Sequence, residues 1–267
     1  MSEVNASSWV SLNNLRFATV RASDSDSPRE EKKKPGTLYG EIGVRAFVPY
    51  VSGMPEELRT VPYPDHPNVG YELNEGFVSN VADGSYWIGL TFLPLNNLSV
   101  YGKAGDFHRS TIYYSVGADY KLNDPYSIGY QFEQYSQGFR GGFTYRKRDD
   151  FIGQSYAILH VTPQIHELHA QRAWESGFFA GAGAQYMDVK FVHAYDWYDS
   201  ERFMGIADNG RGFGLRLFGG WQMEPDTEGL RITASYTYGN LALSEHSGNV
   251  SYHTFQVGLS YAFRIIR

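Results

Sequence analysis

The chain has no cysteine among its 267 residues. That excludes a disulfide framework and a thiolate metal centre. No run approaches the roughly 18 apolar residues of a transmembrane helix. No charged, apolar and small-residue leader opens the sequence, so the expectation is a mature chain whose export signal has been removed. Internal repeats and a second domain are also missing, and 1–267 reads as a single domain with 1–7 as a flexible tail. The one basic run, Lys32 to Lys34, is offset by Asp24, Asp26, Glu30 and Glu31, which argues for a solvated loop and against nucleic acid as a partner.

What the chain does have is aromatic side chains and glycine. Aromatics make up 16%, with 21 Tyr and 17 Phe, and there are 29 Gly. The net charge is −6 and the mean hydropathy −0.41. A transmembrane β-barrel combines these features. Half of each strand is polar, so mean hydropathy stays low, while Tyr and Trp gather at the two interfaces.

The pattern is most regular from Thr254 to Phe263. Phe255, Val257, Leu259, Tyr261 and Phe263 alternate with Gln256, Gly258, Ser260 and Ala262. A period of two is a β-strand with one apolar and one polar face. This segment resembles the C-terminal strand of Gram-negative outer-membrane β-barrel proteins, which the assembly machinery reads as a signal. It departs from them in carrying Arg264-Ile265-Ile266-Arg267 after the aromatic. The resemblance implies residence in the cell outer membrane of a Gram-negative bacterium. It also implies three partners: outer-membrane lipid, lipopolysaccharide and the barrel assembly machinery.

The same alternation recurs along the chain. Ile42, Val44, Ala46 and Val48 share a face, as do Tyr86, Ile88, Leu90 and Phe92. Tyr114, Val116, Ala118 and Tyr120 follow, then Ile128, Tyr130 and Phe132. Tight turns fall at 95, 124 and 227, where Asn, Asp, Pro and Gly cluster. Longer polar connections fall at 104–110, 136–150, 193–210 and 241–250. Short periplasmic turns and long outer loops give such an alternation.

The spacing predicts an all-β fold, a transmembrane antiparallel up-and-down barrel of twelve strands. They are placed at 9–22, 38–50, 68–79, 85–93, 98–104, 111–121, 126–135, 151–161, 177–192, 211–223, 229–241 and 251–264. Ten is the alternative, without 9–22 and 68–79. Phe139 to Arg146 also alternates and is read as part of an outer loop, because one more strand would make the count odd. A soluble β-sandwich is the competing fold; it would pack the aromatic faces on a second sheet.

The phase of each strand places Glu41, Arg45, Asp119, Lys121, Gln131, Glu133, Arg216 and Arg231 inside the barrel, with Lys103 among them. Glycines on the same face, among them Gly43, Gly117, Gly129 and Gly183, leave room for long side chains to cross a narrow lumen. Such a lumen is either packed by ion pairs or a selective channel. The leading reading is a porin-like channel for small polar solutes or short oligosaccharides, with Tyr101, Tyr113 and Tyr135 available to stack on sugar rings. The alternatives are an outer-membrane enzyme acting on lipid A, phospholipid or peptide at the rim, and a surface adhesin or structural barrel.

Three clusters carry the enzyme reading, from which the sequence as a whole leans away. His108 and Ser110 resemble the His-x-Ser part of lipid A deacylases, in which His is the base and Ser the nucleophile. His160, His166 and His169, with Glu167, resemble a shortened zinc-protease motif, although the segment reads as a connection. Asp149, Asp150, Asp196, Asp199, Glu201 and His193 are of the kind that activates water at a barrel mouth. No metal and no cofactor is expected.

Overall fold

A computed structural model describes residues 35–63, 66–72, 77–78, 83–106, 113–135, 137–140, 144–145, 156–197, 200–223 and 228–266. The elements in chain order begin with β1 (Thr37–Ser52), helix α1 (Glu56–Arg59), β2 (Thr60–Tyr63), β3 (His66–Glu72) and β4 (Phe77–Val78). Next come β5 (Asp83–Leu95), β6 (Leu98–Gly105), β7 (Tyr113–Asn123), β8 (Tyr126–Gln134), β9 (Gln137–Arg140) and β10 (Thr144–Tyr145). The last are β11 (Tyr156–Ala173), β12 (Phe178–Trp197), β13 (Ser200–Gln222), β14 (Gly229–Leu243) and β15 (Asn249–Ile266).

Ten of these strands form a closed antiparallel circuit in the order β1-β5-β6-β7-β8-β11-β12-β13-β14-β15, and β15 returns to β1. Closure runs along β1 from Leu38 opposite Ile266 to Ser52 opposite Ser251. The four residues after Phe263 thus do not end the likeness to an assembly strand; those that are described simply continue β15. The competing β-sandwich is overturned, because the sheet closes on itself.

The count is ten and not twelve. Candidate 9–22 lies outside the described residues. Candidate 68–79 divides into β3, which joins β2 and β10 in a separate three-stranded sheet, and β4, which pairs with the end of β1. Three connections proposed from sequence are strands instead. Residues 162–173 belong to β11, and 193–197 and 200–210 belong to β12 and β13, leaving only 198–199 between them. From the Phe139–Arg146 loop, β9 pairs with β11 at Leu159 and Ile158, above the point where β8 stops.

The alternation decides which face meets lipid. Phe92, Tyr114, Ile128, Leu215, Ile232 and Leu259 all point outward and are exposed. On β15 the outward set from Phe255 to Phe263 covers about 26 Å at ~3.3 Å per residue. That is about 20 Å along the barrel axis at a tilt of ~40°. Soluble monomers rarely expose apolar patches beyond a few hundred Å², whereas a transmembrane barrel carries a belt ~25 Å tall. Tyr120, Tyr126, Trp174 and Phe178 edge the belt at the short-turn end, and Tyr114, Tyr186, Phe213 and Tyr238 at the other.

Turn chemistry fixes the short ends. Asn96-Asn97 joins β5 to β6 with Leu95 opposite Leu98. Gly177 reverses the chain before β12 at φ +86°, where a Cβ would stand 2.2 Å from the Gln222 carbonyl oxygen.

Beyond the belt the alternation keeps its phase, but the two faces exchange their chemistry. On β12, Met187, Val189 and Phe191 point inward and are fully buried, while Asp188 and Lys190 face outward. Val161, Leu241, Val250 and Tyr252 do the same on their strands, and Met54 and Leu58 from the segment after β1 complete the apolar cluster. The long-loop end of the barrel therefore has the make-up of a water-soluble domain, with an apolar core and a polar skin.

The belt predicts its own test. Leu259→Arg, mid-belt on β15, lowers unfolding stability in lipid by about 2–4 kcal/mol. The same change at Ser251, at the outer edge of that strand, costs about 0–1 kcal/mol. Equal costs at the two positions, measured by denaturant titration in vesicles, contradict the assignment.

Candidate functional site

The lumen is built by a repeated device, in which a glycine on one strand lets residues from the two flanking strands meet over it. Glu41, Gly89 and Lys103 form one register row across β1, β5 and β6. Lys103 Nζ lies 3.0 Å from Glu41 Oε2. A Cβ on Gly89 would come within 3.1 Å of Lys103 Cγ. Tyr101, Gly117 and Gln131 repeat the pattern on β6, β7 and β8, with the Tyr101 hydroxyl donating to Gln131 Oε1 at 3.2 Å.

The longest such row crosses five strands and reads Asp119, Gly129, His169, Gly183, Arg216. His169 Nε2 lies 2.8 Å from Asp119 Oδ1, over Gly129. A Cβ on Gly129 would sit 2.0 Å from that oxygen. Glu167, one row up, leans over Gly183 to reach His169 Nδ1 at 3.4 Å and Arg216 at 3.5 Å. Gln185 Nε2 donates to Glu167 Oε2, the oxygen that Arg216 also faces.

Side chains also meet across the barrel. Arg45 on β1 pairs with Glu133 on β8, four strands away in a circuit of ten. The Arg45 guanidinium also stacks on the rings of Tyr113 at 4.1 Å, Tyr135 at 5.0 Å and Phe47 at 5.5 Å. Its Nε and Nη2 make no hydrogen bond among the described residues, and the ring faces supply the contact instead. Tyr135, at the end of β8, and Tyr252 on β15 stand on opposite walls, and their hydroxyls meet at 3.0 Å.

The interior thus has two zones. On the short-turn side it is polar and partly wet, with the Asp119 and Lys121 side chains 38% and 37% exposed. On the long-loop side the described residues form a buried, largely apolar core. Arg45 and Glu133, with side chains 8% and 9% exposed, stand at the boundary.

The residues placed inside from sequence are found as follows. Glu41, Arg45, Asp119, Glu133 and Arg216 enter the ion pairs just described. Gln131 accepts from Tyr101, and Lys121 pairs with Asp124 at a tight turn. Arg231 stacks on Phe179 at 4.5 Å. Sequence reasoning missed Glu167 and His169 as lumen residues because their segment read as a connection. The signal available was the alternation of Glu167, His169 and Gln171 with Leu168 and Ala170. The same strand disposes of the shortened metal motif, since His166 faces outward and His169 inward, so the two cannot share an ion. His108, Ser110, Asp149, Asp150 and Asp199 lie outside the described residues. Asp196 and Glu201 are register partners near the tip of the β12–β13 hairpin, with His193 further down.

One further carboxylate stands past the belt. Asp208 Oδ1 accepts the backbone N–H of Asn209, Ser244 and Glu245 at 2.6, 3.1 and 3.0 Å. Oδ2 accepts the N–H of His246 at 3.2 Å and meets its Nδ1 at 2.7 Å. Burial alone would raise this carboxyl, but the His246 ring and the backbone N–H groups outweigh it and hold it below its ordinary value. The contact ties the 244–248 turn to β13.

No protein-family model matches the chain, and no curated protein matches it. Solved structures do. The chain is similar to the outer membrane protease OmpT from Escherichia coli, at 8% identity over 86% of this chain and 97% of that one, with a TM-score of 0.44. It is similar to the translocator domain of the autotransporter NalP from Neisseria meningitidis, at 10% identity over 87% and 90%, with a TM-score of 0.41. It is also similar to Ail, the attachment invasion locus protein of Yersinia pestis, at 9% identity over 86% and 100%, with a TM-score of 0.35. Such loose likeness carries no argument about activity; closure and the belt are what identify a transmembrane β-barrel of the outer-membrane type.

Two outcomes test the lumen and the rim. Gly129→Ala forces Asp119 and His169 apart and destabilises the barrel by about 1–3 kcal/mol. Gly102→Ala, whose new Cβ meets nothing closer than 3.9 Å, stays within about 0.5 kcal/mol of wild type. At the rim, Asp208 has a depressed folded pKa, so its stabilisation is present above the unfolded value of ~3.9 and is lost as pH falls through the folded one. Hydrogen-exchange protection of the Ser244, Glu245 and His246 amides is therefore constant from neutral pH down to about 4 and falls below it. Asp208→Asn removes the acid step, and an unchanged step in that variant contradicts the assignment.

Proposed function

We propose that the protein is a shut outer-membrane barrel that anchors a rigid β-structure at the cell surface and works there by binding. The contacts across the barrel carry this reading: Arg45 with Glu133, and Tyr135 with Tyr252, close the lumen where its polar half meets its apolar half. A porin-like channel needs a continuous wet path, and an interior whose outer half is a buried, largely apolar core does not offer one. Of the sequence-based readings, the surface adhesin or structural barrel fits this geometry best.

The placement of the longest strands supports the same view. Asp188 and Arg211 mark the outer edge of the belt on β12 and β13. β12 runs nine residues further to the hairpin at 198–199 and β13 eleven, which is about 30 Å along β12 at ~3.3 Å per residue. With β11 and β9 alongside, this is a four-stranded extension beyond the membrane. Loops carried on rigid scaffolds are common binding surfaces. On this reading, assembly begins with β15, whose outward face matches the strand that the barrel assembly machinery takes up.

A gated channel is the second reading, favoured by the wet charges on the short-turn side. Planar-bilayer recording separates the two. The wild-type protein is expected to be silent. Insertion of the silent protein is checked in the same bilayer preparation by protection of the barrel strands from added protease. Steady ion-selective steps from wild type overturn the shut barrel and restore the channel.

A further inference from the structure

The outward face where β12 and β13 leave the belt is arranged in layers. Three register pairs stack along it: Tyr186 with Phe213, then Asp188 with Arg211, then Lys190 with Asn209. The lowest layer is aromatic. Phe213 is 76% exposed, more than any other large apolar side chain among the described residues, and it meets Tyr186 edge-on at 5.6 Å. The middle layer is an ion pair, in which Arg211 Nε donates to Asp188 Oδ2 at 2.9 Å. The Arg211 side chain is nonetheless 64% exposed. The top layer carries Lys190, also exposed.

Lys190 and Arg211 are diagonal neighbours on adjacent strands, about 7 Å apart at Cβ. That spacing lets two cations address one phosphate group, Arg through its planar fork and Lys as a point charge. Asp188 is the one acid among the described residues of these three layers. Its neighbours in the row are Gln164, which donates to Gln134, and Ala242 beyond Arg211. Directly beneath the aromatic layer lie Leu215 and Leu217, 50% and 52% exposed, in the hydrocarbon zone.

We propose that this face is a headgroup site for a phosphorylated glycolipid of the outer leaflet. The order of chemistry along the wall is that of such a lipid seen from the side. Acyl chains lie against Leu215 and Leu217, a sugar ring stacks on the Phe213–Tyr186 aromatics, and a phosphate sits between Arg211 and Lys190. Charge complementarity selects an anion. The exposed apolar wall in the same column selects a lipid over a free phosphate. Asp188 holds Arg211 in place and also weakens the site, since its own charge repels the ligand. The site depends on the membrane placement of the barrel and not on a shut lumen, so its test is independent of the bilayer recordings.

The test uses the whole protein, stripped of lipid in detergent micelles, and bis-phosphorylated lipid A as the probe. Binding is followed by native mass spectrometry and by the shift in thermal unfolding. Wild type binds the probe and is stabilised by it, whereas inorganic phosphate at equal concentration gives neither effect. The double variant Lys190→Gln/Arg211→Gln binds about 10- to 30-fold more weakly, from a factor of ~5 for each cation near a charged lipid surface. Asp188→Asn binds more tightly than wild type. Arg172→Gln, at the opposite end of the belt, is unchanged. Two results overturn the proposal: equal lipid affinity in wild type and the double variant, or full competition by inorganic phosphate, which marks an adventitious ion only.

Discussion

Everything in this molecule depends on the pairing of its first barrel strand with its last. In hydrocarbon there is no water to satisfy a free N–H or C=O, so a sheet that crosses a membrane survives only without edges. β1 and β15 meet along β1 from Leu38 to Ser52, and that seam turns an open sheet into a barrel. Closure then sorts the side chains. One face of each strand is committed to lipid and the other to an interior only a little wider than side chains can fill.

That narrow interior explains the glycines. In a closed sheet each inward side chain competes with its neighbours two strands away for the same space. Gly89, Gly117, Gly129 and Gly183 yield theirs, and charged or hydroxyl groups on the flanking strands pair over the gaps. The pairing matters because an unpartnered charge inside a barrel is costly. Breaking one buried pair by removing a single partner typically costs 3–5 kcal/mol. The cross-barrel pair of Arg45 and Glu133 is the extreme case, with three aromatic rings completing the contacts of the guanidinium. Above it the chain needs no such device, since the outer interior is an ordinary apolar core.

Much of this was legible in the sequence because lipid is an unusually strict solvent. A lipid-facing strand must show large apolar residues at every second position, and β5, β7, β8 and β15 do. Their phase then placed the inward charges. The reading failed where the outward face stops touching hydrocarbon. Thr162, Gln164 and His166 make the upper half of β11 look like a loop, although His166 is screened by the Tyr130 hydroxyl at 2.7 Å and by the rings of Phe132 and Tyr186. Beyond Asp188 and Arg211 the strands turn polar outside and apolar inside, and a pattern read for lipid sees only polarity. Register also escaped. Nothing local in the sequence says that Arg45 faces Glu133 or that Tyr135 faces Tyr252, since each pair is set by how the whole circuit closes.

The claim that the lumen is shut can be tested from the two sides of a membrane. The chain has no cysteine, so Asp119→Cys introduces a single thiol in the polar half of the interior. In vesicles of known orientation, a membrane-impermeant thiol reagent is added to one side or the other. Labelling is expected from the short-turn side and not from the long-loop side, where the apolar core and the cross-barrel contacts intervene. Labelling at the same rate from both sides would contradict the account.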